Sequence, residues 1–168
     1  SLMFAIGLFL FALRTQAPAV LTEIVSNLFL LPGLMLFNFG IVKATGRTPP
    51  MKSGLVFCLV AIAFIAWFVL VSPNYPAGVV THNLVFLTLY LYTAYACLVA
   101  KTAKGNHTFR IVGLLCIALA LACFWRVVGG VFGLTFSFAP TLPRLFWVAT
   151  SLVSFPMITV LLTLHTSQ

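Results

Sequence analysis

Apolar runs of helical length alternate with short polar stretches along the whole chain. Apart from the first, each run has roughly 18 to 25 residues, and a helix of about 20 residues crosses the ~30 Å hydrocarbon core of a bilayer. The pattern therefore predicts a single transmembrane domain, 1–168, with six spanning helices, the first of them truncated. Their approximate ranges are 1–13, 18–42, 53–72, 79–100, 111–132 and 144–164.

The composition excludes a water-soluble protein. Hydrophobic residues make up 62% of the chain and charged residues 6%, which leaves more apolar surface than a soluble core can bury. The runs are also longer than the ~10-residue strands of a membrane β-barrel. We therefore expect an all-α integral membrane protein, with kinks where Pro32 and Pro156 interrupt two of the spans.

The basic residues predict the orientation of this bundle. The loop after the second span contains Lys43, Arg47 and Lys52. The loop after the fourth span contains Lys101, Lys104 and Arg110. Short loops rich in Lys and Arg stay on the cytoplasmic side, so both termini are expected in the cytoplasm. This topology explains the net charge of +8, and a nucleic-acid partner is not expected.

Glu23, the single acidic residue, lies inside the second predicted span. A lone carboxylate at membrane depth costs several kcal/mol unless it is paired or neutralised. Arg126 is the best candidate partner, because span two would begin and span five would end at the outer face. Each of these two residues then lies about five residues from that face, at ~1.5 Å rise per residue.

Further polar side chains are expected at this outer level. His82 and Asn83 lie near the start of span four, Asn27 is one turn below Glu23, and Arg14 closes the first span. We expect these groups to line a shallow pocket in which a small ligand displaces or bridges the Glu23 and Arg126 pair. The predicted ligand-binding residues are Arg14, Glu23, Asn27, His82, Asn83 and Arg126. The alternative is a structural ion pair, with His82 and Asn83 extending to the interface.

Other chemistry receives less support from the residues. The four cysteines, at 58, 97, 116 and 123, have no CxxC spacing and are expected to be packing residues. We expect no cofactor. The alternative is a haem or metal bound between His107 and His165. With one carboxylate there is no acid and base pair, and phosphate-binding and HExxH motifs are missing, so no catalytic residue is predicted.

The segment LRTQAPAVLTEIVSNLFLLPGLMLFNFGIVKATGR, residues 13–47, resembles the multi-span sensory regions that precede bacterial GGDEF diguanylate cyclase domains. Those regions often read as an apolar helix ending in Leu-Arg, a turn with Pro, an apolar run leading to Asn, spaced glycines, and Gly-Arg. The matching residues are Leu13, Arg14, Pro18, Leu21, Ile24, Val25, Asn27, Gly33, Gly40, Gly46 and Arg47. The GGDEF sequence itself does not occur in these 168 residues.

The resemblance implies a sensory or anchoring domain in the bacterial inner membrane. Its last helix would pass a signal to a cytoplasmic output domain that makes cyclic di-GMP, and a homodimer is implied because such output domains usually act as dimers. Two alternatives are a structural or accessory subunit of a larger membrane complex, and a small transporter or cofactor-binding protein. The expected partners of the domain itself are the lipid bilayer and a small-molecule ligand.

Overall fold

A computed structural model describes residues 2–13, 20–99 and 106–132 of the chain. These residues form five α-helices and one short π-helix, and the described part is all-helical. The elements are α1 (Leu2–Ala12), the π-helix (Val20–Val25), α2 (Ser26–Ala44), α3 (Met51–Leu70), α4 (Tyr75–Leu98) and α5 (Asn106–Val131). Arg14 and the sixth predicted span, 144–164, lie outside the described residues.

Four of the helices are long and apolar enough to cross a membrane. They cover Thr22–Ala44, Met51–Leu70, Pro76–Leu98 and His107–Val131, and they correspond to the second to fifth predicted spans. At 11 residues, α1 is shorter than a spanning helix, as its sequence predicted. The all-helical, apolar architecture is therefore confirmed, with four helices fit to span a membrane in the described part of the chain.

Helix boundaries differ from the expected ones by a few residues, for local reasons. α4 begins at Tyr75 because the side chain of Asn74 accepts a hydrogen bond from the backbone N–H of Ala77, and Pro76 is tolerated in the first turn. α2 ends at Ala44, where Gly46 takes a φ of 81°. This left-handed conformation favours glycine and stops the helix.

The backbones of α1 and α2 touch through two glycines. These helices run antiparallel, with Gly7 against Leu30 and Gly33 against Phe4. A Cβ atom added to Gly33 would lie 2.6 Å from the backbone N of Phe4, and one added to Gly7 would lie 2.7 Å from the backbone N of Leu30. Only the missing side chains allow such an approach, which is how small residues pack membrane helices.

Antiparallel packing also joins α5 to α4, the most extensive helix contact in the described bundle. Gly130 of α5 lies against Val80, whereas Gly113 lies against Cys97 and Leu98. α4 packs on α2 as well, so α4 lies between α2 and α5. The buried core around this pairing includes Leu31, Leu34, Val85, Phe109, Val112 and Cys123.

α3 lies at the periphery and is the most apolar and least buried of the four long helices. Only one stripe of it, formed by Gly54, Cys58, Ala61, Ile62 and Ile65, is buried. Large apolar side chains such as Leu59, Phe64 and Trp67 are exposed on its other side. α3 therefore presents a broad apolar surface on the side away from the other described helices.

Candidate ligand site

Glu23 lies in the π-helix that leads into α2, where it is half-buried. The side chains of the first two residues of α2 donate hydrogen bonds to backbone carbonyls one turn earlier. Ser26 Oγ donates to the carbonyl of Thr22, and Asn27 Nδ2 donates to the carbonyl of Glu23. These bonds satisfy carbonyl groups at the junction of the wide π-helix with the regular helix. Such π-helical turns are frequent at functional sites.

Asn27 contacts His82 across the interface between α2 and α4. Nδ1 of His82 lies 2.8 Å from Oδ1 of Asn27. Because Asn27 Nδ2 already donates to the carbonyl of Glu23, Oδ1 must be the atom that faces the ring. An amide oxygen only accepts, so Nδ1 of His82 carries the proton. The imidazole of His82 also lies against the ring of Phe86, with the ring centroids 4.4 Å apart and the ring planes tilted by 38°.

Asn83 has a buried hydrogen-bond acceptor that no described residue satisfies. Its side chain is 2% exposed. Nδ2 donates to the carbonyl of Val79 over 2.7 Å, whereas Oδ1 has no partner within the described chain. Leaving a buried acceptor unpaired costs about 1 to 3 kcal/mol. A group that costs this much calls for an explanation, such as a water or ligand that supplies a donor.

Arg126 of α5 lies level with Asn83. Gly130 faces Val80, and antiparallel α-helices advance by the same rise in opposite directions. Position 126, four residues before Gly130, therefore lies beside position 84, four residues after Val80. Arg126 is half-buried there, so this position of α5 lies at the same end of α4 that carries His82 and Asn83.

Five of the six predicted ligand residues fall on described elements at one end of the bundle, which we call the Glu23 end. Asn27 and His82 are in contact, Asn83 is the next residue of α4, and Glu23 is one turn before Asn27. Arg14 lies outside the described residues. Glu23 precedes α2, Arg126 belongs to α5, and both of these helices pack on α4. Their pairing and the ligand-binding role stay predictions.

A second polar contact joins α2 to α4 deeper in the bundle. Thr93 Oγ1 donates to Asn38 Oδ1 over 2.7 Å, and Asn38 Nδ2 donates to the carbonyl of Leu34. Both side chains are fully buried. The spacing repeats that of Asn27 and His82, since each pair is 55 residues apart and the asparagines are three turns apart. The hydrophobic pattern does not predict this pairing, although the equal separations are a signal for two parallel helices.

The cysteines behave as packing residues, as predicted. All four are free thiols and buried. Cys116 and Cys123 of α5 belong to the core cluster, together with Tyr90 of α4. His107 is exposed at the start of α5, and its proposed haem or metal partner, His165, lies outside the described residues.

Comparison with family models, curated proteins and solved structures gave no match. The resemblance to the sensory regions of GGDEF proteins therefore stays a prediction. The described residues define a class, an all-helical membrane protein, and four of their helices are fit to cross a membrane. A polar cluster lies at its Glu23 end and includes a buried acceptor, Oδ1 of Asn83, that has no partner among the described residues.

Proposed function

We propose that this chain is a multi-pass sensory domain of the bacterial inner membrane that binds a small polar ligand at the Glu23 end. The observation that carries the proposal is the buried Oδ1 of Asn83, which has no partner in the described chain, beside the hydrogen-bonded Asn27 and His82. The cost of an unpaired acceptor is accepted in proteins mainly where function uses the group.

The chemistry of the cluster restricts the ligand class. One Nδ2 proton of Asn83 bonds the carbonyl of Val79, and Oδ1, which has no partner in the described chain, requires an N–H or O–H donor from the ligand. Glu23 and Arg126 add one negative and one positive charge. A small zwitterion or a hydroxylated acid, with a donor and a charged group a few ångströms apart, fits this set of partners.

The position of α4 suggests how binding would be transmitted. α4 is hydrogen-bonded to α2 at two levels and packs along the length of α5. A ligand that engages residues of α2, α4 and α5 together therefore changes the relative positions of three helices at once. Small shifts of packed helices of this kind are an established route for signals through bundles.

We further propose that the Glu23 end faces outwards and that the opposite end is cytoplasmic. The opposite end carries Lys43, Arg47 and Lys52 around the turn between α2 and α3, and the guanidinium of Arg47 lies 5.1 Å from the ring centre of Tyr95. Basic loops of this kind are retained in the cytoplasm.

Cysteine labelling tests this orientation. The four native thiols are buried and should react little with the label. Ser72→Cys lies in the exposed turn between α3 and α4 at the Glu23 end, and Thr48→Cys lies in the exposed turn at the basic end. A membrane-impermeant maleimide should label Ser72→Cys in intact spheroplasts and Thr48→Cys only after lysis. The reverse order, or labelling of both in intact cells, would contradict the proposal.

The sensory role predicts an output domain in the same reading frame. We expect the gene to continue past codon 168 into a GGDEF domain, and we expect Asn83→Leu to change the cyclic di-GMP level of cells that express the complete protein. The matched control is Thr88→Val, an exposed position of the same helix. A stop codon directly after codon 168 would favour an accessory subunit instead, with the apolar face of α3 as its contact surface.

A further inference from the structure

The hydrogen bond between His82 and Asn27 joins two helices through a donor that can change its charge. Nδ1 of His82 donates to Oδ1 of Asn27 over 2.8 Å, and Nδ2 of the same amide donates to the backbone carbonyl of Glu23. Because an amide that donates also becomes a better acceptor, the two bonds strengthen each other. The imidazole therefore begins a hydrogen-bonded chain that leads from α4 through α2 into the π-helix.

Three features around the His82 ring favour its protonated form. The Nδ1–H bond to Asn27 is kept when Nε2 takes up a proton, and a charged donor makes a hydrogen bond about twice as strong as a neutral one. The ring of Phe86 lies 4.4 Å away, within the ~6 Å reach of a cation–π contact. Glu23, the only acidic residue of the chain, precedes α2 at the same end of the bundle.

Burial and a cation on α5 oppose protonation of His82. The ring is half-buried, so the loss of hydration on charging is partial. Besides Glu23, the charged or titratable side chains on the described elements at this end are Arg126 and Cys123 of α5, whereas α1 and residues 61–70 of α3 contribute none. Histidine is the only side chain whose unperturbed pKa lies between pH 5 and 8, so a change in mild acid at this end falls on His82.

We propose that His82 is a proton-controlled latch between α2 and α4. In mild acid the ring takes up a proton at Nε2, and its bond to Asn27 becomes charge-assisted. The other contact of these helices, from Thr93 to Asn38, contains no titratable group and lies about 16 Å further along. Acid therefore strengthens the attachment of α4 to α2 at one level only, which changes the tilt between them. The latch goes beyond the proposed ligand site, because it needs no ligand.

Thermal unfolding of the full chain in detergent, without added ligand, tests the latch between about pH 8 and about pH 5.5. The comparison is His82→Gln, which keeps a polar side chain and does not titrate. On acidification the wild type should gain about 3 °C in unfolding temperature relative to His82→Gln, the shift expected when one hydrogen bond doubles in strength in a chain of this size. His107 and His165 are present in both proteins, so their titration cancels in the difference.

A second variant, Asn27→Leu, separates the hydrogen bond from the titrating ring. It removes the acceptor and keeps His82, so acid should lower its unfolding temperature, because a half-buried charge has lost its partner. His107→Gln, at an exposed position of the opposite end, is the matched control and should follow the wild type. Equal pH dependence in the wild type and His82→Gln, or a loss of stability of the wild type in acid relative to that variant, would overturn the latch. An Asn27→Leu curve parallel to that of the wild type would overturn it as well.

Discussion

Replacing Gly33 with leucine should separate α1 from α2 and lower the free energy of unfolding by about 3 kcal/mol. A Cβ atom at this position would lie 2.6 Å from the backbone N and 2.9 Å from the Cα of Phe4. Backbone atoms of a packed helix have no flexible end that moves aside, so the helices must part or slide. Gly7→Leu should have a similar effect, since its Cβ would meet the backbone of Leu30.

Gly40→Leu is the matched control for Gly33→Leu. It lies in the same helix and receives the same side chain, but its added Cβ would meet no described atom within 4 Å. Leucine also has a higher helix propensity than glycine, by up to about 1 kcal/mol. Unfolding of the purified protein in detergent micelles compares the three variants. A loss in Gly40→Leu equal to that in Gly33→Leu would show that the close α1 and α2 contact is not the cause.

The second large effect should be an increase in the free energy of unfolding. Asn83→Leu removes a buried acceptor that has no partner in the described chain, and it keeps the approximate volume. The carbonyl of Val79 loses only a side-chain donor, because its helical hydrogen bond to the backbone N–H of residue 83 does not depend on the side chain. We expect stability to rise by about 1 to 2 kcal/mol.

Asn38→Leu provides the comparison for Asn83→Leu. Asn38 is equally buried, but its Oδ1 accepts from Thr93. Removing this interhelical bond should cost about 1 kcal/mol, and the single hydroxyl proton of Thr93 then goes to the carbonyl of Leu89. Thermal unfolding of the two variants should therefore shift in opposite directions. A loss of stability in Asn83→Leu would mean that Oδ1 is satisfied in the folded protein and would remove the main support for the ligand site.

The sequence predicted the helices well and their contacts poorly. Long apolar runs located α2 to α5, since membrane depth sets the length of a spanning helix whatever the neighbouring residues are. The close contacts of Gly7 with Leu30 and of Gly33 with Phe4 were not predicted. The chain has many glycines, and only the packed helices show which of them touch a neighbouring backbone. The π-helix was missed because it depends on local hydrogen bonds, not on hydrophobicity.

For the candidate site, the sequence supplied the residue types and an approximate depth. Counting residues from the ends of the spans placed Glu23, His82 and Asn83 near one face. It did not reveal that Asn27 contacts His82, nor that the acceptor of Asn83 has no partner among the described residues, because both depend on how α2 and α4 are rotated about their axes. The rotation of each helix about its axis is set by side-chain packing. A sequence that is apolar on nearly every face of a helix does not show which face packs against the neighbour.

The measurement that tests the central claim most directly is ligand-induced thermal stabilisation of the wild type compared with Asn83→Leu. The probes are a panel of amino acids, hydroxy acids and small amines, each with a hydrogen-bond donor. The ligand-site account predicts a compound that raises the unfolding temperature of the wild type by several degrees and leaves Asn83→Leu unshifted. If every active compound stabilised both proteins equally, or none stabilised the wild type, the polar cluster would be a structural contact between helices and not a site.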